Sequence, residues 1–461
     1  MPTDCSSGQL TFQSFDGRSV VAGFDGGAIT SNAGALLLRE ADRVIGLSGR
    51  VARCFSDGRA ADRIEHSLQT LVAQRIHGIA LGYEDLNDHD DLRRDPVLVL
   101  LSDGMEKKRA SVAPLAGKST LNRLEHAPTE AARSRYCKIG HDRAAFEAVF
   151  VDLFIEAYRK RPRQIILDLD ATDDPIHGEQ EGRFFHGYYG CYCYLPLYIF
   201  CGRHLLAAKL RRANIDASAG AEEEVTRIVA QVRKHWPKVK IVLRADSGFC
   251  REGLMVWCEQ NGVDYVFGLA RNARLEKRIA GALAEAQRAA HASNRSARVF
   301  RDFLWSTRDS WSRRRRVVAK AEWTRGEANP RFIVTSLKPD AWRAPALYED
   351  LYCARGNMEN RIKECQLDLM ADRTSAATLR ANQLRLWFAS LAYVLVEATR
   401  RLALRHTELE NATAGTIRLK LLKIGALVRL SVRRIKVAIA SSCPTQTVFA
   451  LAHARLRNFA A

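Results

Sequence analysis

Two short apolar runs that each lead directly to an aspartate constrain the fold of this chain more than any other feature. The first run, Gln164–Leu169, contains Asp168 and is followed by Asp170; the second, Lys240–Ala245, is followed by Asp246. Short apolar runs of this kind predict buried strands. Residues that end parallel strands meet at the carboxyl edge of a sheet, where open sheets place their sites. We therefore expect Asp170 and Asp246 to lie close together.

The segments around these runs alternate in an order that indicates the fold class. Two aromatic-rich strands, Tyr192–Phe200 and His204–Leu210, follow the first run, and apolar spacings of three and four predict a helix over Ala221–His235. The second run is followed by helix Gly253–Asn261 and strand Tyr265–Leu269. A hairpin that leads into alternating strands and helices predicts an α+β fold, with a mixed sheet flanked by helices.

A third acidic residue, Glu359, lies in a helix predicted over Leu347–Leu369. Tyr352, Arg355 and Glu359 are spaced three and then four residues apart, so they share one helical face. On such a face Arg355 can bind a phosphate with its guanidinium fork, and Tyr352 can stack or hydrogen-bond beside it. The alternative is a solvated face that is stabilised by an ion pair between Glu359 and Lys363.

Carboxylates that converge in this way have a specific chemistry. They can hold two hard divalent cations, which take oxygen ligands, and two such ions about 3.5–4 Å apart stabilise both oxygens of an in-line phosphoryl transfer. We predict that Asp170, Asp246 and Glu359 are catalytic and bind Mg²⁺ or Mn²⁺. Asp168 faces the same side of its strand as Asp170 and is a fourth candidate ligand. For Asp246 alone, the alternative is a helix cap.

The charge of the chain indicates what it binds. Its 461 residues carry a formal net charge of +19, which favours a polyanionic partner. Residues 373–461 contain 15 basic residues against three acidic ones, a segment that favours contact with phosphates. No apolar stretch reaches the ~18 residues needed to span a bilayer, and the cysteines indicate reduced thiols. We expect a cytoplasmic, nucleoid-associated protein with no membrane partner.

These motifs resemble those of bacterial insertion-sequence DDE transposases whose last acid lies in a Tyr-x-x-Arg-x-x-x-Glu signature. Asp170-Ala-Thr172 resembles the first motif, Ala245-Asp-Ser-Gly248 the second and Tyr352 to Glu359 the third. The resemblance is closest over residues 140–405 and implies an RNase H-like catalytic domain. It also implies that metal-activated water cuts double-stranded DNA at the element ends, and that the freed 3′ hydroxyl joins target DNA by transesterification. A homodimer would hold the paired ends in a synaptic complex.

The resemblance and the local patterns together divide the chain into five parts. These are an N-terminal, mainly helical end-recognition domain (1–135), the first part of the RNase H-like domain (136–270), a β-rich insertion (271–345), the helical second part of the catalytic domain (346–405), and a basic C-terminal region for DNA binding or dimerisation (406–461).

The candidate DNA-binding side chains lie in three of these parts. They are Tyr352, Arg355 and Lys363 on the helix, Trp305, Trp311, Arg313, Arg314, Arg315 and Arg316 in the insertion, and Arg433 and Arg434 in the tail. In similar transposases a tryptophan of the insertion stacks on a displaced base, an interaction worth about 1–3 kcal/mol. The alternative for either tryptophan is a place in a small β core. We expect the four arginines to be exposed.

One departure from the family pattern concerns the helix. The pattern has a lysine seven residues after its glutamate, where this chain has Gln366, and Lys363 lies one turn earlier. Whether end processing passes through a hairpin is therefore open. Two other functions also remain open: another RNase H-like DNA nuclease, and a catalytically inactive DNA-binding protein derived from a transposase.

Overall fold

A computed structural model describes residues 9–102, 114–129, 138–324, 326–431 and 433–460. In these ranges the strands are β1 (Gln9–Phe15), β2 (Arg18–Gly23), β3 (Ile29–Thr30), β4 (Phe55–Asp57), β5 (Ile139–His141), β6 (Gln164–Ala171), β7 (Asp174–Pro175), β8 (Phe184–His186), β9 (Cys191–Tyr194), β10 (Leu197–Cys201), β11 (His204–Lys209), β12 (Lys240–Ala245), β13 (Asp264–Leu269), β14 (Ala297–Trp305), β15 (Arg315–Thr324), β16 (Glu327–Ala328), β17 (Arg331–Thr335), β18 (Ala426–Leu430) and β19 (Ile435–Ile439).

The α-helices of the same ranges are α1 (Leu36–Ile45), α2 (Leu47–Ala52), α3 (Leu68–Ala80), α4 (Asp88–Leu92), α5 (Pro96–Leu101), α6 (Lys118–Glu125), α7 (Arg143–Glu156), α8 (Ala221–His235), α9 (Glu252–Gln260), α10 (Ala273–Arg278), α11 (Ala280–Ser293), α12 (Ala344–Ala346), α13 (Gly356–Lys363), α14 (Leu379–Ala403), α15 (Ala414–Ile417) and α16 (Gln446–Ala460). Short 3₁₀ turns include Ser247–Phe249 and Cys353–Arg355, and π-helical turns include Leu347–Tyr352 and Glu364–Asp368. No helix of the described ranges is long and apolar enough to cross a membrane.

The described residues form two compact units, one from Met1–His141 and Leu391–Ala461 and the other from Asp142–Ser390. In the first unit, β18 pairs with β3 and with β19, so distant parts of the chain share one small sheet. The predicted division separates residues 1–135 from residues 406–461, whereas the structure has both in one unit. The basic C-terminal region contains β18, and Arg433 and Arg434 lie after this strand, where both are exposed.

The second unit is built on a mixed sheet with the strand order β11-β10-β6-β12-β13-β17-β15-β14, and β16 pairs with β15 at its edge. Strands β6, β12 and β13 are parallel, and their neighbours on either side are antiparallel. This topology confirms the predicted α+β mixed sheet with its aromatic-rich hairpin. The β-rich segment over residues 271–345 does not form a sheet of its own, because β14, β15 and β17 extend the central sheet.

Alternation along the strands divides the core of this unit between the two faces of the sheet. On β12, Ile241 and Leu243 face a core that includes Val225 and Ile228 of α8, whereas Val242 faces the opposite side with Leu347. The apolar stripe on α8 therefore covers one face, and the segment that leads to Glu359 covers the other. The carboxyl edge of β6 and β12 lies beside that segment, and this arrangement positions the candidate site.

Candidate catalytic centre

The first two acids lie side by side at the carboxyl edge of two parallel strands. Leu169 of β6 pairs with Ala245 of the parallel strand β12, and Asp170 and Asp246 are the next residues on each chain segment. Asp246 Oδ1 accepts a hydrogen bond from the Gly248 amide at 2.8 Å, which caps the 3₁₀ turn after the strand. Asp246 can therefore cap this turn and also be a residue of the site, so the two interpretations do not exclude each other.

The ionisation of Asp170 shows how close the three acids are. The pKa of Asp170 is raised to about 7, mainly by burial; the positive charge of Arg355 lowers it, and the negative charges of Asp246 and Glu359 contribute to the rise. One oxygen, Oδ1, accepts a hydrogen bond from the Ala171 amide at 2.9 Å. The structure therefore brings the three carboxylates within electrostatic range of one another, although they are far apart in sequence.

Arg355 lies between two of these carboxylates. Its Nη1 is 3.3 Å from Asp170 Oδ2, and its Nη2 is 2.8 Å from Glu359 Oε1. The chain is helical throughout residues 344–368, and Tyr352, Arg355 and Glu359 share a face there as predicted. The ion pair of Glu359 is with Arg355, whereas the alternative prediction placed it with Lys363, which is exposed.

The chemistry of this group of residues fits a divalent cation. In the described part of the chain, no three His, Cys, Asp or Glu side chains are already arranged around a common metal position. Arg355 instead supplies the positive charge between Asp170 and Glu359. Carboxylate oxygens are the donors that hard cations prefer, and Asp170 is a largely buried carboxylate beside two others. These acids would fit such a cation once Arg355 turns away.

A search of curated proteins finds no match to this chain. The family model described as "Transposase DDE domain group 1" matches residues 12–461, nearly the entire chain. The chain belongs to this transposase family. The match confirms the predicted relationship to DDE transposases. It agrees with a large mixed sheet that carries acidic residues at one edge.

Asp168 has a different environment from the other acids of the transposase. Its Oδ1 and Oδ2 both accept hydrogen bonds from Arg244, at 2.5 and 2.8 Å, and both residues are buried. Arg244 also donates to the backbone oxygen of Leu351 on the helical segment. Because both carboxylate oxygens of Asp168 are engaged, the pair joins β6, β12 and the helix. Asp170 is therefore better placed than Asp168 to bind a metal.

Close packing beside the acids depends on a glycine that the motif analysis did not single out. A Cβ atom on Gly268 would lie 2.6 Å from the Tyr352 hydroxyl and 2.8 Å from the Ser247 amide nitrogen. Burial raises the pKa of Tyr352, and the nearby Asp246 carboxylate also raises it, whereas Arg355 lowers it. The absence of a side chain on β13 thus lets the Tyr352 hydroxyl approach the second acid.

A cavity of about 320 Å³ opens next to Gly268. Its walls include Phe332, Tyr348 and Tyr352, and its charged residues are Arg271 and Arg331. Both arginines are exposed, and neither has an acidic side chain within ion-pair distance among the residues that the structure describes. These two cations, which lie at the ends of β13 and β17, were missed because the sequence pattern did not indicate that the two strand ends meet.

The prediction of four exposed arginines is wrong for two of them. Arg315 and Arg316 are buried, whereas Arg313 and Arg314 are exposed. Arg315 pairs with Glu252 at 2.7 Å and with Glu259 at 2.8 Å. Arg316 contacts Asp302 on β14, and its Nη1 donates to the Leu337 carbonyl at 2.7 Å. Arg315 is thus neutralised by acids from a distant part of the chain, and Arg316 by an acid on the neighbouring strand.

The two candidate tryptophans are half-buried and pack against the core on the α8 side of the sheet. Arg274 lies over the ring of Trp305 at 4.7 Å, and Arg315 lies 5.5 Å from the ring centre of Trp311. The ring faces of Trp305 and Trp311 that these arginines cover are therefore not free to stack on a base. These contacts agree with the alternative prediction, in which each tryptophan packs in a core. A role in stacking on DNA bases stays a prediction.

Gln366, the residue that departs from the family pattern, connects the helix to the segment after the first acid. Its Nε2 donates to the Asp173 carbonyl at 2.9 Å and to Asp174 Oδ1 at 3.1 Å. Asp174 is fully buried, and its Oδ2 has no hydrogen-bond partner among the described residues. Burial raises the pKa of Asp174 to about 8, so the neutral acid predominates at neutral pH. A lysine here would introduce a charge that this pocket does not contain.

Proposed function

We propose that this transposase cuts DNA at the ends of an insertion element and joins the 3′ ends to target DNA, with Asp170, Asp246 and Glu359 as its catalytic acids. The observation that carries the proposal is the mutual influence of these carboxylates at the carboxyl edge of the sheet. Membership of a transposase family supports DNA as the substrate. The Tyr-x-x-Arg-x-x-x-Glu spacing supports assignment to the group that carries this signature.

Mg²⁺ or Mn²⁺ is the cofactor that we propose, held by Asp170, Asp246 and Glu359. A bound pair of such ions would supply Lewis-acid stabilisation of the negative charge that develops on the scissile phosphate and the two oxygens in line with it. The buried Asp168–Arg244 pair holds β6 and β12 in register with the helix. It thereby positions the first two acids without itself contacting the substrate.

Arg355 has two roles in this proposal. Without a divalent cation its guanidinium neutralises Asp170 and Glu359. If a cation were to neutralise these acids instead, the planar fork of Arg355 would be able to bind phosphate oxygens of the DNA with two hydrogen bonds. Tyr352, which lies one turn before Arg355 on the same face, would hydrogen-bond to the same strand from its position beside Asp246.

The DNA path near the site would follow the cations that have no acidic partner among the described residues. Arg271 and Arg331 are exposed at the cavity beside Tyr352, so backbone phosphates adjoining the scissile bond would lie there. Lys363 is exposed on the same helix as Glu359 and would extend this contact. Arg433 and Arg434 in the C-terminal hairpin turn would bind phosphates of the element end. A homodimer that pairs two ends completes the proposal.

A joining assay on supercoiled plasmid that carries the two flanking ends of the element, with Mg²⁺, tests this function. We expect nicking at the ends and joining to target DNA by the wild type, and a decrease in both of more than 100-fold in Asp246→Asn and Glu359→Gln. Asp350→Asn, which neutralises an exposed acid on the same helical segment, is the matched control. Cutting that ignores the end sequence would favour a general nuclease. Tight binding to the ends without cutting by any form would favour a DNA-binding protein that has lost activity.

A further inference from the structure

The first unit contains a second positively charged cavity, with a volume of about 490 Å³. Four arginines line it together with one acid and two serines: Arg39, Arg43, Arg50, Arg53, Asp42, Ser48 and Ser102. No residue of the catalytic acid cluster or of the DNA path proposed above contributes to it. Among the residues that the structure describes, its lining contains no aromatic side chain on which a base could stack.

The turn between α1 and α2 brings these arginines together. Arg39 and Arg43 are one turn apart on α1, Arg50 is on α2 and Arg53 follows it. Gly46 joins the two helices with φ of 65°, a left-handed conformation that ends α1 abruptly. The chain therefore reverses within a few residues, and charged side chains from both helices face the same hollow.

The positive charge of this hollow is only partly compensated. Asp42 is the one acid in its lining, and Asp42 Oδ1 already accepts a hydrogen bond from the Ser48 amide at 2.8 Å. Glu40 forms ion pairs with Arg39 and Arg43 at 3.7 and 3.6 Å. Arg53 is exposed, with no ion pair in the described residues. By formal charge, the described lining therefore carries four arginines against one acid.

Ser102 supplies the second, independent observation. The residue is 1% exposed, yet its hydroxyl has no hydrogen-bond partner within the described ranges. Buried polar groups are almost always paired, because an unpaired one loses its bonds to water and gains nothing in return. A hydroxyl left unpaired on the wall of an arginine-lined cavity indicates that a ligand oxygen completes its hydrogen bonding.

We propose that this cavity is a phosphate-binding site that holds a backbone phosphate of duplex DNA. Guanidinium forks match the oxygens of a phosphate, and a serine hydroxyl can rotate to donate to a third oxygen. A site of this chemistry positions the duplex and does not read its bases. The proposal rests on the proposed function only for the identity of the phosphate source, since a free phosphate or nucleotide presents the same group.

Binding of a 25-bp duplex from the element end to the full-length protein, measured by fluorescence anisotropy in EDTA across a salt series, tests the proposal. Arg50→Gln/Arg53→Gln should weaken binding at least tenfold and reduce the salt slope by about 1 for each phosphate that is no longer neutralised. Arg63→Gln, which removes an exposed arginine of the same unit outside the cavity, is the control. It should leave the affinity for the duplex and the salt slope nearly unchanged. Equal affinity and equal slope in the double variant and the wild type would overturn the proposal.

Ser102→Ala separates a ligand site from a structural role. We expect it to weaken duplex binding several-fold and to leave the melting temperature unchanged or higher, because the hydroxyl has no partner among the described residues to lose. A lower melting temperature with unchanged binding would contradict the proposal.

Calorimetric titration with inorganic phosphate distinguishes the two sources of the anion. Saturable phosphate binding by the wild type, together with an unaltered DNA salt slope in the arginine variant, would assign the site to a free anion and overturn the DNA assignment. Because EDTA prevents metal-dependent cleavage, failure of the binding experiment is distinct from failure of the catalytic proposal.

Discussion

The Nη1 atom of Arg355 lies 3.3 Å from Oδ2 of Asp170, so the helix that carries the last acid reaches the first acid through an arginine. The same guanidinium contacts Glu359. In the absence of a divalent cation, Arg355 therefore stabilises a group of carboxylates that would otherwise repel one another. A divalent cation held by the same acids would supply the neutralising charge that Arg355 provides here.

Replacing Arg355 by Gln should make the protein depend more strongly on divalent cations for its stability. Removal of the guanidinium leaves Asp170 and Glu359 unshielded, and we expect about 1 kcal/mol of destabilisation, given that the pair is partly exposed. Mn²⁺ should then raise the melting temperature more in the variant than in the wild type.

Differential scanning fluorimetry with and without Mn²⁺ measures this difference. Arg343→Gln is the control, since it removes an exposed arginine at the start of the same helical segment. Equal Mn²⁺ shifts in all three proteins would show that Arg355 does not occupy the cation position.

Breaking the buried pair between Asp168 and Arg244 should be costly. Arg244→Met leaves an unpaired carboxylate in the core, and we expect a decrease of about 3–5 kcal/mol in unfolding free energy. The double variant Asp168→Asn/Arg244→Met should recover part of this decrease, because it removes the stranded charge. Urea unfolding of the single and double variants gives the coupling energy. A single variant as stable as the wild type would contradict the structural role assigned to the pair.

Asp174 should make stability depend on pH. Its pKa is raised from 3.8 to about 8 by burial, so between these values the unfolded chain releases a proton that the folded chain keeps. Stability is then lost as pH rises from about 4 to 8. Asp174→Asn keeps an acceptor for Gln366 and does not titrate, so its stability relative to the wild type should increase across that window.

Urea unfolding at pH 5 and pH 8 measures the difference between Asp174→Asn and the wild type. Asp173→Asn is the control, because it removes a neighbouring carboxyl that is partly exposed. If the unfolding free energies of Asp174→Asn and the wild type differ by the same amount at pH 5 and at pH 8, Asp174 is not the source of the pH dependence.

A methyl group on Gly268 should disturb the site through Tyr352. The added Cβ would lie 2.6 Å from the Tyr352 hydroxyl, and we expect Gly268→Ala to cost about 1–3 kcal/mol. Tyr352→Phe removes that hydroxyl, so the double variant should be less destabilised than the sum of the single changes. The rescue is partial, because the Ser247 amide nitrogen remains 2.8 Å away. Strictly additive effects in a double-mutant cycle would show that the two residues do not compete for this space.

Local pattern was enough to predict the elements that carry the acids. The predicted bounds of α8 and β12 agree with the structure, because one has an unbroken apolar stripe and the other is a short buried run. Strand β6 extends two residues further than predicted, to Ala171, because its hydrogen bonding to β10 continues past Asp170. The proximity of Asp170 and Asp246 followed from the topology of parallel strands, whereas the place of Glu359 beside them did not.

Long-range partners could not be predicted from the sequence. Arg315 resembles part of an exposed basic run until Glu252 and Glu259 are placed against it, and these acids lie more than 50 residues away. Arg244 lies within a buried apolar strand, which indicates that an acidic partner is buried with it. The sequence does not show that this partner is Asp168. Pairing of β3 with β18 likewise joins segments from opposite ends of the chain.

Strand transfer by variants of the three acids tests the catalytic assignment most directly, with a pre-cut end duplex and a target plasmid in Mg²⁺ and in Mn²⁺. We predict that Asp170→Asn, Asp246→Asn and Glu359→Gln each reduce joining by more than 100-fold with either ion while binding the duplex as tightly as the wild type. Asp350→Asn should join normally. Joining at the wild-type rate by any of the three acid variants would contradict the assignment of that residue to the catalytic centre.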